Sequence, residues 1–165
     1  MRQKLSLFTP KQITGNLFTL LLLFVISCNS TNEKAGSGKA DKKVIRTDKA
    51  PQPVGPYSQG ILVNDVMYVS GQVGISPSTN QLDTSGFEAQ AYQALRNIVN
   101  VLEAGGMTAD NVVSTRVYLT DMDDFIVLNE VYKDFFSKNL PARETVQVCE
   151  LPKEASIEIS VVAVR

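Results

Sequence analysis

Ala155–Val164 reads ASIEISVVAV, and the fold turns on how that run is taken. Ten residues that are almost all small or apolar, with five β-branched positions in Ile157, Ile159, Val161, Val162 and Val164, describe a strand with one face in a core. Side chains alternate along a strand, so Glu158 shares a face with Ser156 and Ser160, opposite Ile157, Ile159, Val161 and Ala163. A carboxylate buried without a partner costs several kcal/mol, roughly, even after relaxation, so Glu158 needs an ion pair, water or a chemical task.

Upstream, GILVNDVMYVSGQV (residues 60–73) is two apolar runs about Asn64-Asp65, a hairpin pattern. Ser85 and Glu88 have capping-box spacing at the head of a helix. Its apolar stripe is Phe87, Ala91, Ala94, Leu95, Ile98, Val101 and Leu102, and Gly105-Gly106 stops it. VVSTRVYLT (112–120) alternates as a strand, with Val113, Thr115, Val117 and Leu119 on one face. The acidic run Asp121–Asp124 opens a second helix, striped by Phe125, Leu128, Val131, Tyr132, Phe135 and Phe136 and ended by Pro141. RETVQVCEL and SIEISVVAVR supply two closing strands. The order β-β-α-β-α-β-β predicts an α+β domain: a mixed sheet with two helices packed on one face. The other face then needs cover, for which oligomerisation is the usual remedy.

The chain of 165 residues has net charge −1 and no histidine. The charge argues against a nucleic-acid partner, which would need clustered Lys and Arg. Without histidine there is no Ser-His-Asp triad, no imidazole base and no His-ligated zinc. Acid–base work falls to Asp, Glu, Lys, Tyr or Cys. No phosphate-binding glycine pattern, metal-ligand spacing or nucleophile elbow is present.

Residues 1–28 read as an address. Arg2, Lys4 and Lys11 precede LFTLLLLFVISC (17–28), an apolar run short of the roughly 20 residues that span a bilayer but suited to export. The VISC ending is similar to the lipobox of bacterial lipoproteins, which predicts lipidation at Cys28 and an exported, membrane-anchored protein. Residues 29–43, NSTNEKAGSGKADKK, form a polar flexible tether, and the domain runs from 44 to 165. Cys149, in the apolar run TVQVCEL, is expected in the core.

Two groups on the closing strands could carry chemistry. Arg143 and Thr145 share one strand face and Glu144 takes the other. If the two closing strands are neighbours, Arg143 and Glu158 could line one pocket. The plainer reading is an ion pair at a sheet edge or between subunits. The sharper one is a rigid guanidinium fork for a ligand carboxylate, with Glu158 moving a proton or activating water. Tyr57, in the turn GPYSQG, is a packing residue or a ligand contact. Gly71, in VSGQVG, marks either close backbone approach to a ligand or a bulge.

GPYSQG (55–60), YVSGQVG (68–74), NEVYKDFF (129–136), LPARETVQV (140–148) and LPKEASIEISVVAVR (151–165) together resemble the RidA family, also called YjgF. The resemblance runs in order over about residues 44–165. It implies a chorismate-mutase-like subunit in a homotrimer, with ligand clefts between subunits. It implies hydrolysis of reactive enamines and imines, such as 2-aminoacrylate, to 2-keto acids and ammonia, with no cofactor and no metal. On that pattern Arg143 grips the substrate carboxylate and Glu158 serves the hydrolytic water. Tyr57, Gly71, Asn129 and Thr145 fall on substrate-binding positions, Thr145 standing where many bacterial members carry cysteine. A membrane-tethered protein that binds small carboxylate metabolites without turning them over is the alternative.

Overall fold

The structure, a computed structural model, describes residues 40–165, within the unit Lys39–Arg165. The expected leader, the lipidation site Cys28 and most of the tether lie outside the described residues. Among the described residues no helix is long and apolar enough to cross a membrane.

Six strands form one mixed sheet: β1 (Lys42–Ile45), β2 (Gly60–Val63), β3 (Val66–Val73), β4 (Val112–Leu119), β5 (Ala142–Gln147) and β6 (Ile157–Val164), in spatial order β1-β2-β3-β6-β4-β5. Helices α1 (Phe87–Ala104) and α2 (Phe125–Phe135) complete the domain, and α1 packs on β3, β6 and α2. The expected α+β architecture is therefore observed, with one strand more than the sequence pattern suggested. That strand, β1, begins at Lys42, inside the stretch read as tether, and pairs antiparallel with β2.

The hairpin closes at Asn64-Asp65, with Asn64 in the left-handed region at φ 51°, where asparagine is tolerated. The core lies between the helices and one sheet face. Leu95, Ile98 and Leu102 from α1 meet Met67, Leu119, Ile157 and Ile159 from the sheet, all about fully buried. Each such side chain contributes about 1.5–3 kcal/mol relative to exposure. Gly106, at φ 76°, ends α1, with Met107 N–H donating to Leu102 O at 2.9 Å.

Three local expectations need correction. The Ser85–Glu88 capping box does not form: Gly86 is the N-cap, and Ser85 N–H instead donates to Asp83 Oδ1 at 2.9 Å in a turn of its own. Val113 is exposed while Val112 is buried, because the β4–β6 register shifts between Val112 and Ser114 and the bulge reverses the alternation there. Cys149 is exposed, since β5 ends at Gln147 and the chain leaves the sheet before reaching it.

Candidate active site

The closing strands are not neighbours. β4 lies between them, antiparallel to β6 and parallel to β5. Residues directly opposite across a ladder share a face, so register decides which side chains can meet. Arg143 is opposite Thr115, which is opposite Val161; both are buried, so Arg143 projects on the helix-covered face. Glu158 is opposite Tyr118, which is opposite Val146, and these stand on the bare face. The single pocket expected for Arg143 and Glu158 therefore does not exist within one chain. Face alternation was read correctly along each strand, but nothing in the sequence relates the two parities once a third strand intervenes. Ser156 precedes β6, so only Ser160 continues the face of Glu158 along the strand.

On the helix side, α2 builds a cradle. Phe125, Asn129 and Tyr132 recur at i, i+4 and i+7, one helix face, and all three meet the guanidinium of Arg143. Asn129 Oδ1 accepts from Arg143 Nη2 at 2.8 Å. The guanidinium carbon sits 4.8 Å from the ring centre of Tyr132 and 5.3 Å from that of Phe125, which is cation–π distance. Tyr132 is anchored by a buried 2.8 Å hydrogen bond between its hydroxyl and Thr115 Oγ1. Burial pushes the Tyr132 phenol pKa up, against smaller opposing effects of Thr115 and Arg143, so the ring stays neutral. No carboxylate of the described residues pairs with Arg143. Thr145 lies two residues along the same face, and its Oγ1 is buried without a hydrogen-bond partner. Asn129 was expected to touch substrate; in this geometry its amide oxygen is engaged in orienting Arg143. In the sequence Phe125, Tyr132 and Thr115 carry only a core or strand pattern, and the i, i+4, i+7 spacing with Asn129 is the signal that marks two of them.

On the other side, Glu158 opens into a cavity of about 420 Å³ shared with Tyr57, Ser70, Gly71, Val54 and Pro152. The β3–β6 register shifts between Val69 and Gln72, so Ser70 and Gly71 together face the single residue Ser160. The bulge explains Gly71. A Cβ built there would overlap Glu158 Oε1 and lie 2.7 Å from Cδ, so the missing side chain makes room for the carboxylate itself. Ser70 is fixed by donating to Ser58 O at 2.7 Å. Half of Tyr57 is exposed to solvent on the cavity wall. That wall is held by Gln59, whose buried side chain accepts from Thr47 N–H at 2.8 Å and donates to Ala50 O at 3.1 Å and Pro51 O at 2.9 Å. Burial alone pushes the Glu158 pKa above the ordinary glutamate value, with no charge or hydrogen bond to offset it.

The two halves thus sort the candidates: Arg143, Asn129 and Thr145 on one face, Glu158, Gly71 and Tyr57 on the other. Among the described residues no cluster of acidic or sulfur side chains could hold a metal ion.

The family model described as Endoribonuclease L-PSP matches residues 47–165. The 2-iminobutanoate/2-iminopropanoate deaminase of Homo sapiens is 48% identical over 124 residues, covering 75% of this chain and 90% of that protein. A RutC family protein of Saccharolobus solfataricus is 49% identical over 122 residues, covering 74% and 97%. Among solved structures, RidA from the Antarctic bacterium Psychrobacter sp. superposes with a TM-score of 0.73 at 46% identity, covering 74% and 99%. E. coli TdcF with bound serine gives 0.72 at 36%, covering 74% and 98%. With the family model spanning strands β2 to β6, both helices and both half-sites, and relatives at nearly half identity over 122–124 residues, this chain is a member of the Endoribonuclease L-PSP (YjgF/RidA) family.

Proposed function

We propose that the protein hydrolyses small reactive 2-imino acids and their enamine tautomers to 2-keto acids and ammonia, at sites each completed by two copies of the chain. The observation that carries this reading is the division of charge. A cradled arginine without an acid lies on one sheet face, and an acid without a base lies in a cavity on the other. Neither can serve the other within a chain. In a closed ring of copies the helix-side edge of one subunit meets the bare face of the next, and a homotrimer repeats that heterologous contact three times. The name carried by the human relative, a deaminase of 2-iminobutanoate and 2-iminopropanoate, fits the chemistry.

Arg143 offers its fork to the substrate carboxylate, its plane fixed by two rings and Asn129 so that little freedom is lost on binding. Thr145 has a hydroxyl to spare beside it. The carboxylate thus held, the C=N carbon is placed at Glu158 of the neighbouring copy. An enamine first takes a proton on carbon to become the iminium. Water then adds to the iminium carbon as one of its protons passes to Glu158, Glu158 returns that proton to the carbinolamine nitrogen, and as ammonia leaves the hydroxyl proton passes through Glu158 to solvent and C=O forms. One water is consumed and one ammonia released, with no change of oxidation state. A carboxyl with a raised pKa suits both directions of that relay, and general acid–base help of about 10²–10⁴-fold is reasonable. The C=N carbon is already electrophilic, so positioning and one relay suffice. The word endoribonuclease in the family description sits poorly with a chain of net charge −1 and no histidine.

Mixing variants tests the reading. Arg143→Ala and Glu158→Gln, purified apart, are each expected to be inactive on 2-iminopropanoate generated in situ. Dissociated and reassembled together in equal amounts, they should regain up to about a quarter of wild-type activity, because that share of random subunit contacts pairs an intact arginine with an intact glutamate. Absence of recovery in a reassembled oligomer sinks the shared site. If the wild type and Glu158→Gln bind 2-ketobutyrate, Arg143→Ala does not, and none accelerates hydrolysis, the protein is a carboxylate-binding module instead.

A further inference from the structure

The bare sheet face carries a second arginine. Arg116 is opposite Ser160 on one side and Glu144 on the other, and so stands on the same face as Glu158. It is exposed and makes no ion pair or side-chain hydrogen bond within 4 Å among the described residues, Glu144 included. Around it is a hollow of about 250 Å³ lined by Ser70, Ser114, Ser160 and Tyr68. That places three hydroxyl groups and a phenol beside a free guanidinium. Ser70 also lines the cavity of Glu158, so the two hollows adjoin. Glu158 is two residues from Ser160 along β6, which sets it diagonally across from Arg116, about 7–8 Å away between backbones. An arginine side chain spans most of that distance.

We infer that Arg116 and its serines form a second carboxylate subsite next to Glu158, making the site selective for 2-imino dicarboxylates over their monocarboxylate counterparts. This rests on the proposed imine site. The neighbouring copy's Arg143 takes the carboxylate at C1, Glu158 addresses C2, and Arg116 takes the distal carboxylate three or two carbons on. The hydroxyl groups of Ser114 and Ser160 complete an oxyanion shell that a lone surface arginine lacks. Glu144, the cross-strand neighbour of Arg116, opposes a dianion, and its charge sets how strong the preference is.

The test uses two ligands that differ only at the far end, 2-oxoglutarate and 2-oxopentanoate, titrated calorimetrically into the assembled wild-type protein. The wild type should bind 2-oxoglutarate about 10-fold more tightly, the worth of one charge-assisted contact. Arg116→Ser should lose that preference without changing affinity for 2-oxopentanoate, and Glu144→Gln should strengthen it. Turnover of the imines generated in situ from glutamate and norvaline should follow the same ratio. A wild type with no preference, or a preference that survives Arg116→Ser, overturns the subsite. If the binding preference and its loss are found but neither imine is hydrolysed faster than in buffer, the subsite stands and the deaminase reading falls.

Discussion

Glu158 projects from a central strand into a cavity, and its carboxylate finds no cation or donor among the described residues. Its pKa is raised by burial, so the ionised form is the one the fold disfavours. The consequence for stability has a definite sign. Below the ordinary glutamate pKa the group is protonated folded and unfolded, and costs nothing. As pH climbs from that value through the raised folded one, the native state loses stability, and the loss then persists to neutrality. Glu158→Gln is therefore expected to raise the melting temperature at pH 7 by about 2 °C, a gain that vanishes below about pH 4, while activity is lost. Equal gains at both pH values would place the effect in packing rather than charge. Gly71 belongs to the same device. Gly71→Ala should leave the fold assembled but turn the carboxylate out of the bulge, lowering kcat by about 10–100-fold with KM little changed, since Arg143 is untouched. Steady-state kinetics beside a circular dichroism spectrum would read both. The sequence showed that these residues were out of place in a core. It could not show that Gly71 makes room for Glu158, because that needs the bulge.

At the scale of elements, long amphipathic segments were legible and their mutual order was not. The stripe of α1 predicted its buried apolar residues, with Phe87 partly buried at the edge, but not the buried Gln90 and Asn97. Helices announce themselves because a 3.6-residue period must hold over many residues to bury one side. β1 gave no such signal. Its Lys42, Lys43 and Val44 are all exposed on an edge strand that pairs on one side only, so burial imposed almost no pattern. The interposition of β4 between β5 and β6 was equally hidden, since alternation specifies faces within a strand and says nothing of lateral order. The junction of β3 with α1 was also unmarked. Gly74 follows β3 directly, and a Cβ there would lie 2.6 Å from Gln90 Cα, backbone that cannot swing aside. Gln90 in turn accepts from Ser156 N–H at 2.8 Å at the entry to β6. Gly74→Ala is accordingly expected to destabilise the domain by about 1–3 kcal/mol, seen as a lower denaturation midpoint at unchanged m-value. A midpoint within error of wild type would mean that α1 can shift on the sheet at little cost.

Among the described residues, one sheet face is covered by helices and the other is left open. On the open face Tyr68 is 53% exposed and Val146 39%, with Ile61 and Val162 partly covered beside Tyr68. Exposed apolar side chains on both sides of a sheet face, here the Tyr68–Ile61–Val162 cluster and Val146, mark an interface more often than a solvated face. The division of Arg143 and Glu158 between faces gives the same surface a chemical reason to be covered, because only a second copy can bring the cradled Arg143 to the acid. The two arguments are independent, one from hydration and one from catalytic geometry, and they make a joint prediction. Val146→Glu puts a charge in the proposed contact without touching either half-site or the Arg116 hollow. It should yield a folded monomer by analytical ultracentrifugation, with wild-type secondary structure. That monomer should show less than about one hundredth of wild-type activity on 2-iminopropanoate, because each chain then holds two half-sites and no whole one. Raising the protein concentration until oligomers reappear should restore activity in step with the oligomer fraction. A monomer that hydrolyses imines at the wild-type rate would show that Glu158, with another cation of its own face, completes the reaction unaided.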